Sequence, residues 1–291
     1  MKKLLVSGAL ALSLLLPPYT LSGQTNSPTN SQQLESIVIK DGKYDNHNAF
    51  VDESKYSLEE ILESIEMIVC ETEYRLQYTD NQGTVVSENI KTKMLGTGIV
   101  IEKRDGKAYI ITNYHVTDSA YSKEGVICTE LSRRVYVFKS DGFRKEIDAK
   151  KVAYDKNLDL AILEVKDSKD FKKFPYKIGN SDELSPGDFV WIAGNPHGLE
   201  DYVLKGNVSK TKYPGQADYF MIGCDVQPGY SGGAVIAIRD GEYELVGIVV
   251  ATLIRPGSEN DYTTDSIGGY GIAIKINPAM KVVNNYLSQK K

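Results

Sequence analysis

Short stretches of β-branched and aromatic residues alternate with turn sequences over most of the chain. Turns are indicated at Asp80–Gly83, Asp105-Gly106, Asp141-Gly142 and Asp240-Gly241, because Asp, Asn and Gly favour tight backbone reversals. The candidate strands are Ile68–Tyr78, Thr84–Val86, Gly98–Glu102, Ala108–Thr112, Arg134–Phe138, Lys145–Ala153, Leu160–Val165, Phe189–Ala193, Tyr219–Ile222, Ala234–Arg239, Glu244–Ala251 and Gly271–Ile276. Strands at such short intervals predict an all-β barrel or sandwich.

Helical spacing of apolar residues occurs at the two ends of this β-rich region. Ser57 and Glu60 form a capping box, which predicts a short helix from Leu58 to about Glu66. Near the other end, Asn277 is a candidate helix cap before a proline and a run with one apolar face. This pattern predicts a C-terminal helix over residues 278–287.

The first residues have the layout of a secretory signal peptide. Lys2 and Lys3 precede the apolar run Leu4–Leu16, which two prolines and small polar residues follow. The run is too short to span a bilayer stably, so we expect residues 1–23 to be removed on export to the periplasm or the medium. A buried N-terminal helix is the alternative. Residues 24–56 are rich in Ser, Thr, Asn and Gln and predict a solvated linker or arm before the folded domain at 57–288.

Composition and charge exclude several classes of protein. Hydrophobic residues make up 41% and charged residues 25% of the 291 residues, as in ordinary soluble globular proteins. The net charge is −5 and no long basic run occurs, so a nucleic-acid-binding surface is not expected. Nothing in the sequence determines the oligomeric state.

Cysteine and histidine are scarce. The three cysteines, Cys70, Cys128 and Cys224, cannot all pair within one chain, and their simplest interpretation is that they are small buried residues. No HExxH, CxxC or GxxxxGK[ST] motif is present, so the sequence does not indicate zinc-protease, thioredoxin or P-loop chemistry. No metal site is predicted.

The strongest local signal for chemistry is a serine framed by glycines in Pro228-Gly229-Tyr230-Ser231-Gly232-Gly233. A serine hydroxyl is a poor nucleophile unless a base takes its proton and donors bind the oxyanion that forms. Taken alone, such a sequence is more often just a loop.

A base and an orienting carboxylate are both available in the sequence. His115 follows the apolar strand Ala108–Thr112, where an imidazole can point into a cleft. Asp159 begins the apolar strand Leu160–Val165, where a carboxylate needs a bonding partner to offset its desolvation. An imidazole N–H is a suitable partner, because that bond fixes the tautomer of the ring.

Several motifs in the same order resemble the trypsin-like serine proteases of the HtrA (DegP/DegQ) group. They are GTGIVI (96–101), AYIITNYHV (108–116), NLDLAILEV (157–165), GNPHGL (194–199), LKGNVS (204–209), PGYSGGAVI (228–236) and GYGIAIKINPAMKVVNNYL (269–287). The resemblance covers about Leu58 to Leu287. It implies two antiparallel six-stranded β-barrels, the first at about residues 68–165 and the second at about 177–276.

The resemblance also implies a site and a reaction. His115, Asp159 and Ser231 would form the catalytic triad, and the backbone N–H groups of Gly229 and Ser231 would form the oxyanion hole. The reaction would be hydrolysis of peptide bonds in polypeptide substrates through an acyl-enzyme, which requires no cofactor. The residues implied to contact substrate are Asp225, Val250 and Ala251.

Three departures from the family pattern stand out. Tyr230 occupies the place where the family has Asn or Asp, next to the serine. Asp225 lies six residues before Ser231, so it would either form an acidic floor of the S1 pocket or be an ordinary loop residue. The sequence after Leu287 has no room for the PDZ domain of full HtrA proteins, so peptide-gated regulation is not expected.

Two alternatives to an active serine protease remain open. The first is an inactive protease fold that binds peptides without cutting them, which the unusual Tyr230 suggests. The second is a cysteine hydrolase that uses Cys224 with His115, although Cys224 lacks the glycine-framed turn of Ser231.

Overall fold

The computed structural model describes residues 40–46, 51–118, 122, 124–139, 145–254 and 266–290. The predicted signal peptide and residues 24–39 of the predicted arm lie outside these ranges. Within them, no helix combines the length and the apolar character needed to cross a membrane.

Among the described residues, three α-helices accompany a mostly β structure: α1 is Leu58–Leu62, α2 is Tyr114–Thr117 and α3 is Ile276–Ser288. The hydroxyl of Ser57 caps α1 by accepting a hydrogen bond from the Glu59 N–H. The prediction that this helix extends to Glu66 is wrong, because Ile65 already begins the first strand, whose first six residues are all buried.

The predicted cap of the last helix is also wrong. Lys275 is the N-cap of α3, and Asn277 lies inside its first turn. The Asn277 side chain instead accepts from the Ser181 N–H and donates to Asn180 Oδ1. The Asn277 side chain therefore does not cap the helix but bonds it to the turn at Asn180 and Ser181.

The first sheet contains seven antiparallel strands: β1 (Ile65–Thr79), β2 (Val85–Arg104), β3 (Lys107–Asn113), β4 (Ile127–Lys139), β5 (Lys145–Asp148), β6 (Lys150–Asp155) and β7 (Leu160–Val165). Their order is β5-β4-β1-β2-β3-β7-β6. The two end strands, β5 and β6, are consecutive in the chain and are joined by Ala149 alone, so the sheet must curl to bring its ends together. It forms a curled half-barrel.

The second sheet also contains seven strands: β8 (Lys177–Ile178), β9 (Phe189–Gly194), β10 (Tyr202–Lys210), β11 (Tyr219–Ile222), β12 (Ala234–Arg239), β13 (Glu242–Ile254) and β14 (Ser266–Lys275). Their order is β12-β9-β10-β11-β14-β13-β8, and β12 also pairs with β13. This last pairing closes six strands into a barrel, with β8 added in parallel to its outside. The predicted all-β, double-barrel fold class is confirmed.

The core follows from the alternation of side chains along these strands. One apolar cluster joins both sheets, with Ile99 and Ile162 from the first packed in the same cluster as Ile236 and Ile248 from the second. A separate cluster fills the closed barrel. Burial of apolar area is the main favourable contribution to folding, so the two sheets are held together by the same effect that holds each one.

A segment before Ser57 packs on the second sheet, although composition predicts a solvated arm there. Tyr44 is buried, and its hydroxyl donates to Glu244 Oε2 and accepts from the Asn180 N–H, both at 2.8 Å. The Arg239 guanidinium lies 4.1 Å from the centre of the Tyr44 ring. This segment, residues 40–46, is called the strap below.

The strap also bonds through its backbone. The Asp45 N–H donates to Ile238 O at the end of β12, and Asp45 O accepts from the Phe189 N–H at the start of β9. The strap therefore extends the hydrogen bonding of the closed barrel at one of its ends.

Aromatic rings form a group on the second sheet. Tyr176 and Trp191 both contact Tyr243, with ring centres 5.9 Å and 6.1 Å apart. Trp191, the only tryptophan of the chain, lies in the middle of β9.

Candidate active site

His115 and Asp159 lie at the ends of two neighbouring strands of the first sheet. β3 ends at Asn113 and α2 follows at once, with His115 as its second residue, while β7 begins one residue after Asp159. Asn113 and Leu160 are partners in the β3–β7 ladder. Strand pairing therefore brings together two residues that are 44 positions apart.

Both carboxylate oxygens of Asp159 contact His115. Oδ2 lies 2.6 Å from His115 Nδ1, and Oδ1 accepts a hydrogen bond from the His115 backbone N–H at 2.9 Å. The Asp159 carbonyl in turn accepts from the Tyr114 N–H and from Asn113 Nδ2, at 3.0 Å and 3.1 Å. Because Nδ1 faces the carboxylate, Nε2 is the ring nitrogen that remains to accept a proton.

Ser231 lies in the loop before β12 of the second sheet and packs against the strands that lead to His115. Its carbonyl accepts from the Thr97 N–H of β2 at 2.7 Å. A Cβ atom at Gly232 would lie 2.0 Å from Thr97 O and 2.4 Å from Thr112 Oγ1, so only glycine allows this approach. Thr112 precedes His115 by three residues on β3.

The hydroxyl of Ser231 is bonded within its own sheet. Its Oγ donates to Val250 O at 2.9 Å, and no hydrogen bond joins it to His115 among the described residues. Val250 lies at a shift of register in the β13–β14 ladder, which frees its carbonyl from strand pairing. The structure thus joins His115 to Asp159 and places the Ser231 loop against the strands that carry them, but the hydrogen bond between His115 and Ser231 that would complete a triad is not formed in the described part of the chain.

The loop Pro228–Gly233 is called the serine loop below. Several of its backbone carbonyls accept hydrogen bonds. Four consecutive ones accept hydrogen bonds: Pro228 O from His197 N (2.8 Å), Gly229 O from Thr97 Oγ1 (2.7 Å), Tyr230 O from Gly233 N (2.7 Å) and Ser231 O from Thr97 N (2.7 Å). In contrast, the N–H groups of Gly229 and Ser231 donate to no acceptor in the described part of the chain. Two unpaired N–H groups this close together are what an oxyanion requires.

Tyr230 points its ring into the core of the closed barrel. The side chain is 1% exposed, and a Cβ atom at Gly194 would lie 2.7 Å from its Cδ1. Burial raises the pKa of the Tyr230 phenol to about 12. The unusual residue next to the serine is therefore accommodated by barrel packing, while its backbone keeps the turn of the serine loop.

The residues implied to contact substrate are placed less tightly. Asp225 is exposed on the loop after β11 and accepts a hydrogen bond from Gln227 Nε2 at 2.8 Å. Val250 is half-buried on β13, and the Ala251 side chain lies outside the described part of the structure. Their role in binding substrate stays a prediction.

Cys224 and the two other histidines of the sequence, His47 and His197, differ from Ser231 and His115 in environment. Cys224 is buried in the core of the closed barrel, and that burial raises the pKa of its thiol to about 11, which disfavours the reactive thiolate. His197 is exposed and contributes its backbone N–H to Pro228 O. His47 lies outside the described residues.

Sequence reasoning did not single out Thr97. This residue is fully buried on β2 and bonds to four residues through three polar atoms, its backbone N and O and its side-chain Oγ1. The signal that could have identified it is the Gly96-Thr97-Gly98 triplet, because a Cβ at Gly96 would lie 2.6 Å from Val116 Cγ2 and 3.0 Å from Ser231 O. The missing side chain at Gly96 lets the serine loop approach β2 there.

Comparison with known proteins gives a consistent result. The sequence profile of the family described as "Trypsin-like peptidase domain" matches residues 96–248, just over half of the chain. This span contains His115, Asp159 and the serine loop.

Individual relatives agree with the profile. The chain is 31% identical over 204 residues to a probable periplasmic serine endoprotease DegP-like of Buchnera aphidicola subsp. Baizongia pistaciae, which covers 68% of this chain and 37% of that protein. The identity is also 31% over 204 residues to the periplasmic serine endoprotease DegP of Salmonella typhimurium and of Escherichia coli, in each case over 36% of the relative. The chain thus matches little more than a third of the length of these curated relatives.

Proposed function

Because the chain belongs to the trypsin-like peptidase domain family, we propose that it is a serine endopeptidase that hydrolyses peptide bonds of polypeptide substrates through an acyl-enzyme. One observation carries the proposal most directly. The bonded His115–Asp159 pair and the unpaired N–H groups of Gly229 and Ser231 belong to loops that pack on the same strands, β2 and β3.

Each of these groups has one role in the proposed reaction. Ser231 Oγ leaves Val250 O, gives its proton to His115 Nε2 and bonds to the substrate carbonyl carbon. The carbonyl oxygen becomes an oxyanion that accepts from the N–H groups of Gly229 and Ser231. The C–N bond then breaks, and His115 gives the proton to the leaving amine. Water repeats the sequence on the ester and restores the Ser231 hydroxyl.

Asp159 stabilises the positive charge that His115 acquires in both halves of the reaction. Its two oxygens contact the ring and the backbone of the same residue, so the imidazole is oriented before substrate arrives. Preorganised groups of this kind act mainly on the transition state, and their contribution appears in kcat.

We also propose that the protease is exported, with residues 57–288 as the catalytic domain. The signal-peptide pattern of residues 1–23 supports export. The relatives named above carry the description periplasmic, which supports that compartment rather than the medium.

A peptide-binding module without catalysis is the second candidate. The observation that favours it is the bond from Ser231 Oγ to Val250 O, since a hydroxyl held by a carbonyl is not activated by a base. The two candidates share the same fold and differ only in whether Ser231 reaches His115 when a peptide is bound.

Labelling with a fluorophosphonate probe separates these candidates. We expect the wild-type protein and the Cys224→Ala variant to be labelled at Ser231 and to cleave a fluorescent, chemically unfolded protein, whereas Ser231→Ala does neither. Circular dichroism would confirm that each variant is folded. A folded wild-type protein that is neither labelled nor active would exclude the enzyme and leave the binding module. Loss of activity in Cys224→Ala with activity retained in Ser231→Ala would favour the cysteine hydrolase.

A further inference from the structure

The side chain of Thr97 joins two loops that belong to the second sheet, although Thr97 itself lies on β2 of the first. Its Oγ1 donates to Gly229 O at 2.7 Å and accepts from the Asn195 N–H at 2.9 Å. Both bonds are buried, and Thr97 is fully buried itself. A single hydroxyl therefore fills both of its roles, donor and acceptor, with backbone partners across the contact between the sheets.

The backbone of Thr97 is engaged at the same place. Its N–H donates to Ser231 O at 2.7 Å, and its carbonyl accepts from Thr112 Oγ1 at 2.6 Å. Thr112 lies on β3, the strand that ends next to His115. Thr97 is thus fixed from the His115 side and holds the serine loop from the other.

The bond to Gly229 O determines how one peptide unit of the serine loop is oriented. The Gly229–Tyr230 peptide links the two peptides that carry the N–H groups proposed to bind the oxyanion, so its orientation sets how these two peptides face each other. The preceding peptide is held separately, by the bond from the His197 N–H to Pro228 O at 2.8 Å. Asn195 and His197 belong to one turn, so the Asn195 bond to Thr97 and the His197 bond to Pro228 support the same loop.

Gly229 itself contributes no restraint of its own. Its φ is +102°, in a region where glycine moves freely, and it has no side chain that could pack. A Cβ there would lie 2.6 Å from Asn195 O, so the turn at Asn195 limits the position of Gly229 on one side only. The Thr97 hydroxyl restrains it through its carbonyl.

We propose that the Thr97 hydroxyl is a positioning group for the oxyanion site: it holds the Gly229 carbonyl so that the N–H groups of Gly229 and Ser231 converge on the substrate oxygen. This inference rests on the proposed protease function and adds a residue to it. Thr97 touches no substrate and acts through Gly229. Since the oxyanion develops on the way to the tetrahedral intermediate and is absent from the bound substrate, loss of this bond lowers kcat and leaves KM nearly unchanged.

Three substitutions at Thr97 and one elsewhere test the proposal. Thr97→Val keeps the shape and removes the hydroxyl, Thr97→Ala removes hydroxyl and volume, and Thr97→Ser keeps the hydroxyl. Thr72→Val is the matched control, because Thr72 is also a buried threonine of the first sheet, with Cys70 Sγ as its side-chain neighbour at 3.8 Å. The measurements are the rate of fluorophosphonate labelling and kcat and KM for a peptide amide, together with thermal unfolding.

We expect Thr97→Val and Thr97→Ala to lower the labelling rate and kcat on the order of 10- to 100-fold. Thr97→Ser restores both to within about threefold of the wild type, and KM changes by less than about threefold in all variants. Thr72→Val unfolds at a lower temperature but keeps its labelling rate, which separates loss of stability from loss of position.

Three results would overturn the inference. They are wild-type kinetics in a folded Thr97→Val, a Thr97→Ser variant as slow as Thr97→Val, and a loss that lies in KM alone. If Thr97→Val does not fold, the comparison of Thr97→Ala with Thr97→Ser decides by the same criteria. An unreactive wild-type protein would remove the proposed function and this inference with it, whereas a reactive wild type that is insensitive to Thr97 would remove only the inference.

Discussion

The phenol of Tyr230 is a polar group left without a partner in an apolar barrel. Its Oη is buried and has no hydrogen bond within the described part of the chain. An unpaired buried hydroxyl costs stability, so this residue stabilises the barrel by its ring and opposes folding by its oxygen.

Tyr230→Phe is therefore expected to raise the free energy of unfolding by about 1–3 kcal/mol. Tyr136→Phe is the matched control, because Tyr136 is equally buried but donates to Glu71 Oε1 at 2.9 Å. Removal of that satisfied hydroxyl should lower stability instead. Urea unfolding of both variants measures the two signs, and a decrease in stability for Tyr230→Phe would show that its hydroxyl has a partner.

A second residue-scale prediction concerns Asp159. Asp159→Asn should lower kcat by about 10⁴-fold, because the amide favours the wrong tautomer of His115. Asp155→Asn is the control: Asp155 lies in the same turn, and its carboxylate accepts from the N–H groups of Asn157 and Leu158 without contacting His115. Activity in Asp159→Asn close to that of the wild type would contradict the role proposed for the pair.

The residues with distinctive local sequence could be identified from the sequence, and Thr97 could not. Ser231 is marked by its glycines, and His115 and Asp159 by apolar strands beside them. The role of Thr97 depends on partners 132 and 98 residues away. The glycines on either side of Thr97 indicate a close approach of another segment, but only the folded contact reveals what its hydroxyl does.

At the scale of elements, strand lengths were harder to predict than strand positions. Thr84–Val86 and Gly98–Glu102 were expected as separate strands, but both belong to the 20-residue strand β2. The middle of β2 is mostly exposed and polar, whereas residues 96–101 are buried. A pattern of burial marks only the part of a strand that faces the core, so the paired but solvated part is missed.

The strap was missed for a related reason. One buried tyrosine among polar residues carries no periodicity, and its partners Glu244 and Arg239 are about 200 positions further along the chain. Composition describes the average residue of such a segment and is blind to one anchoring side chain.

The strap should make stability depend on pH. Burial and the neighbouring carboxylates of Asp41, Asp240 and Asp188 raise the pKa of Asp45 from 3.8 to about 6. Because the folded state holds this proton more tightly than the unfolded chain, the stability that Asp45 contributes is lost as pH rises from 3.8 to about 6. The backbone bonds of Asp45 do not involve its carboxylate.

Asp45→Asn should therefore be more stable than the wild type at about pH 8 and differ little at about pH 4. Asp52→Asn is a control of opposite sign, since the bonds to Lys55 and Ser54 lower the pKa of Asp52. That substitution should reduce stability at the higher pH. Urea unfolding across this range measures both, and equal effects of Asp45→Asn at the two ends would contradict the assignment.

At the scale of the whole molecule, the contact between the sheets depends on backbone approach at Gly232. Its φ is +88° and a Cβ there would lie 2.0 Å from Thr97 O, so Gly232→Ala should separate the serine loop from β2. Gly83→Ala has the same backbone requirement, with φ of +82°, but a Cβ there meets nothing within 4 Å.

We expect Gly83→Ala to cost about 1–2 kcal/mol of stability and to keep its kinetics. Gly232→Ala should cost more and lose labelling at Ser231 even where it remains folded. Unfolding curves and labelling rates of the two variants provide the comparison. Equal behaviour of the pair would mean that the sheets do not need this contact.

The two halves of the molecule differ in closure, and the chain's single indole lies in only one of them. Trp191 is on β9 of the closed ring, where every strand has hydrogen-bonded neighbours on both sides, whereas the curled sheet that carries His115 has two ends. Tryptophan emission is therefore an optical reporter of the ring alone. A melt followed by this emission does not report directly on the His115–Asp159 pair, and probes placed in the other half are needed to follow it.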